Sequence, residues 1–176
     1  MSVVGIRNSV GSPAYRTGGF ALVVATTAII AALAIEHIGG VAPCPLCLEQ
    51  RTAYYVSIPL LFLALVLVSA DRGRLAALLF FTVALAFLMN AGLGIYHAGA
   101  EWKYWPGPDT CAGAANTITG AAGNLLGELA KAKVVRCDEP ALVVLGLSLA
   151  GWNVVASLLL FITSLKAAFF SAGPPK

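Results

Sequence analysis

Charge is what this chain has least of. Lys, Arg, Asp and Glu together make up 11% of its 176 residues, against about 25% in soluble domains. With 59% of residues hydrophobic, too little polar chain remains to clothe a water-soluble core, so a membrane protein is expected. The few basic residues are scattered near helix ends rather than clustered, so the net charge of +3 gives no footing for nucleic acid. Histidine is limited to two residues and cysteine to four. The cysteines do not repeat the C-x-x-C knuckle of a zinc ribbon, and no metal is expected. No βαβ pattern surrounds the single C-x-x-C, which excludes a thioredoxin fold.

What the chain has in abundance is uncharged apolar sequence. Residues 17–35, 52–70, 75–100 and 141–165 contain no Asp, Glu, Lys or Arg, and each holds 19 residues or more. A helix needs about 20 apolar residues to cross a bilayer core, and backbone groups in lipid must bond within their own segment. The expected fold is an all-α, four-transmembrane-helix bundle forming one membrane domain over residues 1–176. Its spans fall at about 17–37, 48–70, 75–98 and 141–165, with cysteine-bearing loops at about 38–47 and 99–140. The first span is too long for a secretory h-region and lacks a small-residue cleavage site, so it reads as a retained signal anchor.

Two spans separate the first loop from the long one, so both loops face the same compartment. Cys44 and Cys47 lie in or beside the first, Cys111 and Cys137 in the second. Arg7, Arg16, Arg72, Arg74, Lys166 and Lys176 occupy the short opposite-side pieces, whereas Arg51, Lys103, Lys131, Lys133 and Arg136 are spread over the cysteine side. The denser basic side points to the cytoplasm, and paired cysteines confined to one face suit an oxidising compartment such as a bacterial periplasm. In the long loop, Trp102, Tyr104 and Trp105 read as interface anchors. Ile118, Ala122, Leu125, Leu126 and Leu129 recur at the spacing of a short helix lying on the membrane surface.

The chemistry is concentrated in APCPLCLEQR, residues 42–51. Proline is favoured as the first residue of a helix, so Pro45 makes Cys44 the N-cap and places Cys47 at the third helical position. There a thiolate meets unpaired backbone N–H groups and the positive end of the helix dipole. Arg51, four residues on, shares a face with Cys47. Both features favour a reactive thiolate. Four cysteines also permit a structural alternative, because closing 111 to 137 would stabilise the loop by roughly 3–4 kcal/mol. A C-x-x-C ring, by contrast, constrains little beyond its own turn.

Pro43-Cys44-Pro45-Leu46-Cys47-Leu48-Glu49-Gln50-Arg51 at the start of the second span resembles the DsbB (disulfide bond formation protein B) family. So do Gly94-Ile95-Tyr96-His97, Glu101-Trp102, Cys111, and Arg136-Cys137-Asp138-Glu139 before the last span. The resemblance implies a bacterial inner-membrane enzyme with periplasmic cysteine loops that reoxidises a soluble, DsbA-like dithiol oxidase. It implies that this partner attacks a Cys111–Cys137 disulfide at Cys111, and that Cys137 passes electrons to Cys44. Cys47 then faces a membrane quinone, ubiquinone or menaquinone, with Arg51 stabilising negative charge on sulfur and quinone.

His97, at the family's position, and His37 are expected at the outer interface, at the level of Cys47. There each can hydrogen-bond a quinone oxygen or reach headgroup water. Glu36 reads as a solvated helix end. Asn90 and Asn153 read as polar glue between helices, and Gly92, Gly94, Gly146 and Gly151 as sites of close helix packing. A vitamin K epoxide reductase-like enzyme carries its quinone-facing C-x-x-C late in the bundle, unlike Cys44 and Cys47. The non-enzymatic alternative is a membrane scaffold held by structural disulfides.

Overall fold

A computed structural model describes residues 11–107 and 137–173. Four helices carry the fold: α1 (Pro13–His37), α2 (Pro45–Ser69), α3 (Gly73–Glu101) and α4 (Leu149–Ala172). All four are long and apolar enough to cross a membrane. At 1.5 Å per residue they run about 36–44 Å, beyond a hydrocarbon core of about 30 Å, so their ends reach the headgroup layer.

The starts of three helices follow from their cap residues. Ser12, Cys44 and Ser148 each accept a backbone N–H three residues on, from Tyr15, Cys47 and Gly151 respectively. Pro13 and Pro45 fill the first helical position, where no N–H bond is lost.

The helices pack in a ring, each against its two sequence neighbours, with α1 closing onto α4. The diagonal pair α2 and α4 scarcely touch. The core along the ring is built from small and aromatic residues, among them Ala21, Ala25, Leu61, Phe80, Phe87 and Leu160. Small residues let helices approach where lipid supplies no hydrophobic drive. A Cβ at Gly18 would lie 2.5 Å from Phe80 Cζ and 3.1 Å from Leu65 Cδ2. Gly18→Ala is therefore expected to cost about 1–3 kcal/mol by overpacking, read as a lower thermal midpoint in detergent. An unchanged midpoint would mean that Phe80 swings aside freely.

Two sequence expectations need correction. The last span does not begin at 141. Val143–Val144 and Leu147–Ser148 form a small antiparallel hairpin, β1 and β2, before α4 starts at Leu149. Its turn residues, Leu145 and Gly146, have φ of 54° and 83°, the signature of a tight hairpin turn. Trp152 pins the hairpin by donating Nε1–H to the Val144 carbonyl at 2.9 Å. Gly146 thus serves a turn and not helix packing, whereas Gly94 does allow close approach, since a Cβ there would lie 2.9 Å from Val154 Cγ2. The surface helix expected in the long loop, and Cys111 with it, lie outside the described residues.

Candidate active site

Cys44 and Cys47 sit where the sequence placed them, at the N-cap and third position of α2. Both are free thiols. The Cys44 thiol donates to Cys47 Sγ at 2.8 Å, and Cys44 Sγ accepts the Cys47 backbone N–H at 3.2 Å. Cys44 is buried and Cys47 partly exposed. The bond to Cys47 and desolvation push the Cys44 thiol well above its ordinary range, so negative charge in this pair belongs on Cys47, beside the helix N-terminus. In the reduced protein, Cys47 is accordingly expected to alkylate at least about tenfold faster than Cys44 between about pH 7 and 9. Peptide-resolved mass spectrometry reads this, and prior labelling of Cys44 would contradict it.

Cys137 is disulfide-bonded and wholly buried. It packs in one cluster with Cys44 and Leu46, with Cys47 and Leu93 against it. A residue from the end of the long loop therefore lies against the first cysteine pair.

On the other side of Cys47 is a half-open cavity of about 300 Å³ between α1, α2 and α4, at the C-terminal end of α1 and the N-terminal ends of α2 and α4. Alanines and isoleucines of α1 form much of its wall, and Cys47, Gln50, Arg51, Tyr54 and Asn153 supply its polar groups. It occupies the space left because α2 and α4 scarcely touch across the ring. Cys47 and Arg51 open onto it together, as their spacing of four residues predicts.

Arg51 is not a lone charge. It forms an ion pair with Glu36 at the end of α1, and its Nη2 donates to the Ala32 carbonyl at 3.4 Å. Glu36, expected as a solvated helix end, instead neutralises and orients this guanidinium. The partner stands 15 residues upstream on another helix, beyond any periodicity that sequence reading uses.

Neither histidine lines the cavity. His37 is exposed and bonds its own helix at the Leu33 carbonyl, 3.0 Å away. His97 is buried on the far side of the thiols, with Nε2 3.6 Å from Cys44 Sγ and Nδ1 3.0 Å from Gln50 Nε2. From Gln50 a polar chain continues into the bundle. Asn153 Nδ2 donates to Gln50 Oε1 at 2.8 Å, Tyr54 OH donates to Asn153 Oδ1 at 2.8 Å, and Asn90 donates to Ser157 Oγ at 2.9 Å. Asn90 and Asn153 are interhelical glue as expected. Gln50, read in the sequence only as part of the motif, has a role of its own in this chain, and the periodicity of α2 places it one turn beyond Leu46 on a buried face. Trp102 and Trp105 stay outside the cavity, and the Trp105 ring stacks on Tyr96 at 6.1 Å.

Comparison with known proteins agrees with this arrangement. The chain matches the family model "Disulfide bond formation protein DsbB" over residues 16–167. It is 26% identical over 145 residues to an uncharacterized protein of Rickettsia prowazekii (strain Madrid E), spanning 80% of this chain and 81% of that protein. No solved structure matches it. Four membrane-crossing helices, a C-x-x-C pair at a helix start and a family match over most of the chain lead to one conclusion: this protein belongs to the DsbB family and is a multi-pass membrane oxidoreductase of disulfide bond formation.

Proposed function

We propose that this protein is a thiol:quinone oxidoreductase of a bacterial inner membrane, with its cysteine loops in the periplasm. It reoxidises a soluble, DsbA-like, thioredoxin-like dithiol protein. The observation that carries the reading is the position of Cys47 and Arg51 on the wall of an apolar, half-open cavity at the end of the bundle where α2 begins.

The cavity residues fit a quinone head. Its volume of about 300 Å³ is at the lower end of small-ligand sites, which are mostly apolar with a few placed polar groups. Arg51 offers guanidinium N–H donors to a carbonyl oxygen, and the gap between helices leaves a route for an isoprenoid tail. Ubiquinone or menaquinone supplies there an acceptor for two electrons and two protons.

The chain's own residues do the rest. The reduced partner exchanges with the Cys111–Cys137 disulfide, first at Cys111. The freed Cys137 thiolate then attacks Cys44, against which it packs, in the oxidised Cys44–Cys47 form, so that a Cys44–Cys137 bond forms and the Cys44–Cys47 bond breaks. Each exchange needs a thiolate attacker and an accessible sulfur. Cys47 is released as a thiolate next to unpaired N–H groups and Arg51. Glu36 keeps the guanidinium aimed and the dry site close to neutral, which lowers the cost of holding Arg51 there.

The test mixes the purified protein with a reduced thioredoxin-like dithiol protein and a soluble quinone. Quinone absorbance falling only when both are present supports the oxidase. No change with any dithiol donor would overturn it in favour of a disulfide-held scaffold.

A further inference from the structure

Cys44 Sγ, Cys47 Sγ and His97 Nε2 lie within 4.8 Å of one another. What this trio does depends on which ring nitrogen of His97 carries the proton, and the polar chain behind it decides that. An amide nitrogen only donates and an amide oxygen only accepts. Tyr54 OH donates to Asn153 Oδ1 at 2.8 Å, and Asn90 Nδ2 points at the same oxygen from 3.4 Å. Asn153 therefore presents Nδ2 to Gln50 Oε1, at 2.8 Å. Gln50 is left facing His97 Nδ1 with its own N–H₂, at 3.0 Å. Nδ1 must then be the accepting lone pair, and the proton sits on Nε2.

That N–H points at Cys44. Nε2 is 3.6 Å from Cys44 Sγ, within reach of a bond to sulfur, while Glu101 Oε1 stands 3.8 Å away, too far for one. With Nε2 protonated, His97 has no lone pair for a metal or for a thiol proton at this face. It is a donor to sulfur.

We propose that Gln50 is a positioning residue which, by holding His97 as its Nε2–H tautomer, makes His97 the donor that stabilises negative charge on Cys44 when that sulfur leaves a disulfide. The inference rests on the oxidase reading. In that cycle the Cys111 thiolate attacks Cys137 of a Cys44–Cys137 disulfide. A Cys111–Cys137 bond forms, the Cys44–Cys137 bond breaks, and its electron pair departs on Cys44. No proton moves and no further oxidant is needed. A leaving sulfur with stabilised charge departs faster. Cys44 thus gains a side-chain donor of its own in His97, beside the Cys47 backbone N–H that it caps, whereas Arg51 shares the cavity wall with Cys47. The groups around Cys44 are Cys47 from α2, His97 from α3 with Glu101 beside it, and Cys137 from the end of the long loop.

The experiment uses full-length Cys47→Ser protein, fully reduced in detergent, so that Cys44 titrates without a thiol neighbour. Nitrogen-15 NMR of labelled histidine reads the His97 tautomer, assigned by its loss in His97→Asn. The Nε2–H form is expected with Gln50 intact, and the Nδ1–H form in Gln50→Glu, whose carboxylate can only accept. Peptide-resolved alkylation of Cys44 against pH supplies the second measurement. Gln50→Ala is expected to slow it about tenfold near neutral pH, moving the profile up by about one pH unit. An Nδ1–H tautomer with Gln50 intact, or a Cys44 profile unmoved in folded Gln50→Ala, would overturn the proposal. Should Gln50→Ala fail to fold, the tautomer with Gln50 intact still decides. Neither readout needs donor or quinone, so a failed oxidase reading would show separately, as absent quinone reduction.

Discussion

Replacing Cys47 by serine is expected to lower donor-dependent quinone reduction by at least about a thousandfold, because a hydroxyl near neutral pH supplies almost none of the anion that a thiolate supplies. The fold should survive. Serine keeps the backbone N–H that bonds Cys44 Sγ at 3.2 Å and adds no volume. Helix content and thermal midpoint should therefore stay close to those of the parent protein. Of the two thiols of the C-x-x-C, Cys47 is the one that lines the cavity, so Cys44 cannot replace it there. Exchange with the second pair does not use Cys47, and a mixed disulfide with the soluble partner should still be trapped. Retained quinone reduction in Cys47→Ser would remove Cys47 from the electron route. A scaffold held by disulfides would show no donor-dependent quinone reduction in either protein.

Arg51→Ala carries the second large effect. A hydrogen bond to a charged group contributes about 1.5–3 kcal/mol, so kcat/KM for quinone should fall by about 10–100-fold. Two losses combine. The cavity forfeits its guanidinium donors, and Glu36 remains as a partly buried carboxylate without its partner. Separating them requires Glu36→Gln, which leaves Arg51 charged but less firmly aimed; its effect should be the smaller one, concentrated in KM. Arg51→Lys keeps the charge and loses the planar fork, and should fall between parent and alanine variant. Quinone kinetics unchanged in Arg51→Ala would sink the role assigned to Arg51.

These two residues could be singled out because their signal is local. Pro45 after Cys44, a cysteine three residues on and an arginine four beyond that define a capped helix start with sulfur and guanidinium on one face. Helical geometry guarantees that arrangement over so short a stretch. The four apolar runs are equally local, since lipid leaves a spanning segment no option except helix. Parity of the spans then put all four cysteines on one side without reference to packing.

Other features depend on how the helices meet. Glu36 reaches Arg51 because α1 ends beside the start of α2, a contact that neither segment encodes alone. Gln50, Tyr54, Asn90, His97 and Asn153 are polar residues spread over three apolar helices; Asn90 and Asn153 read as glue and His97 as an interface side chain, and none of the five names its partner. Burial in one dry space forces them to satisfy one another, and the directions of those bonds assign His97 to sulfur. The hairpin before α4 escaped for a related reason: an uncharged apolar run has the same composition in a helix and in a tight turn, and φ at Leu145 and Gly146 distinguishes them. Sequence by itself determined that there are four spans, that the cysteines lie together on one side and that the C-x-x-C opens a capped helix, because covalent spacing and the bilayer dictate them. Tertiary structure alone decided the cavity, the Glu36–Arg51 pair and the chain of amides behind His97, because these arise from contacts between residues far apart in the sequence.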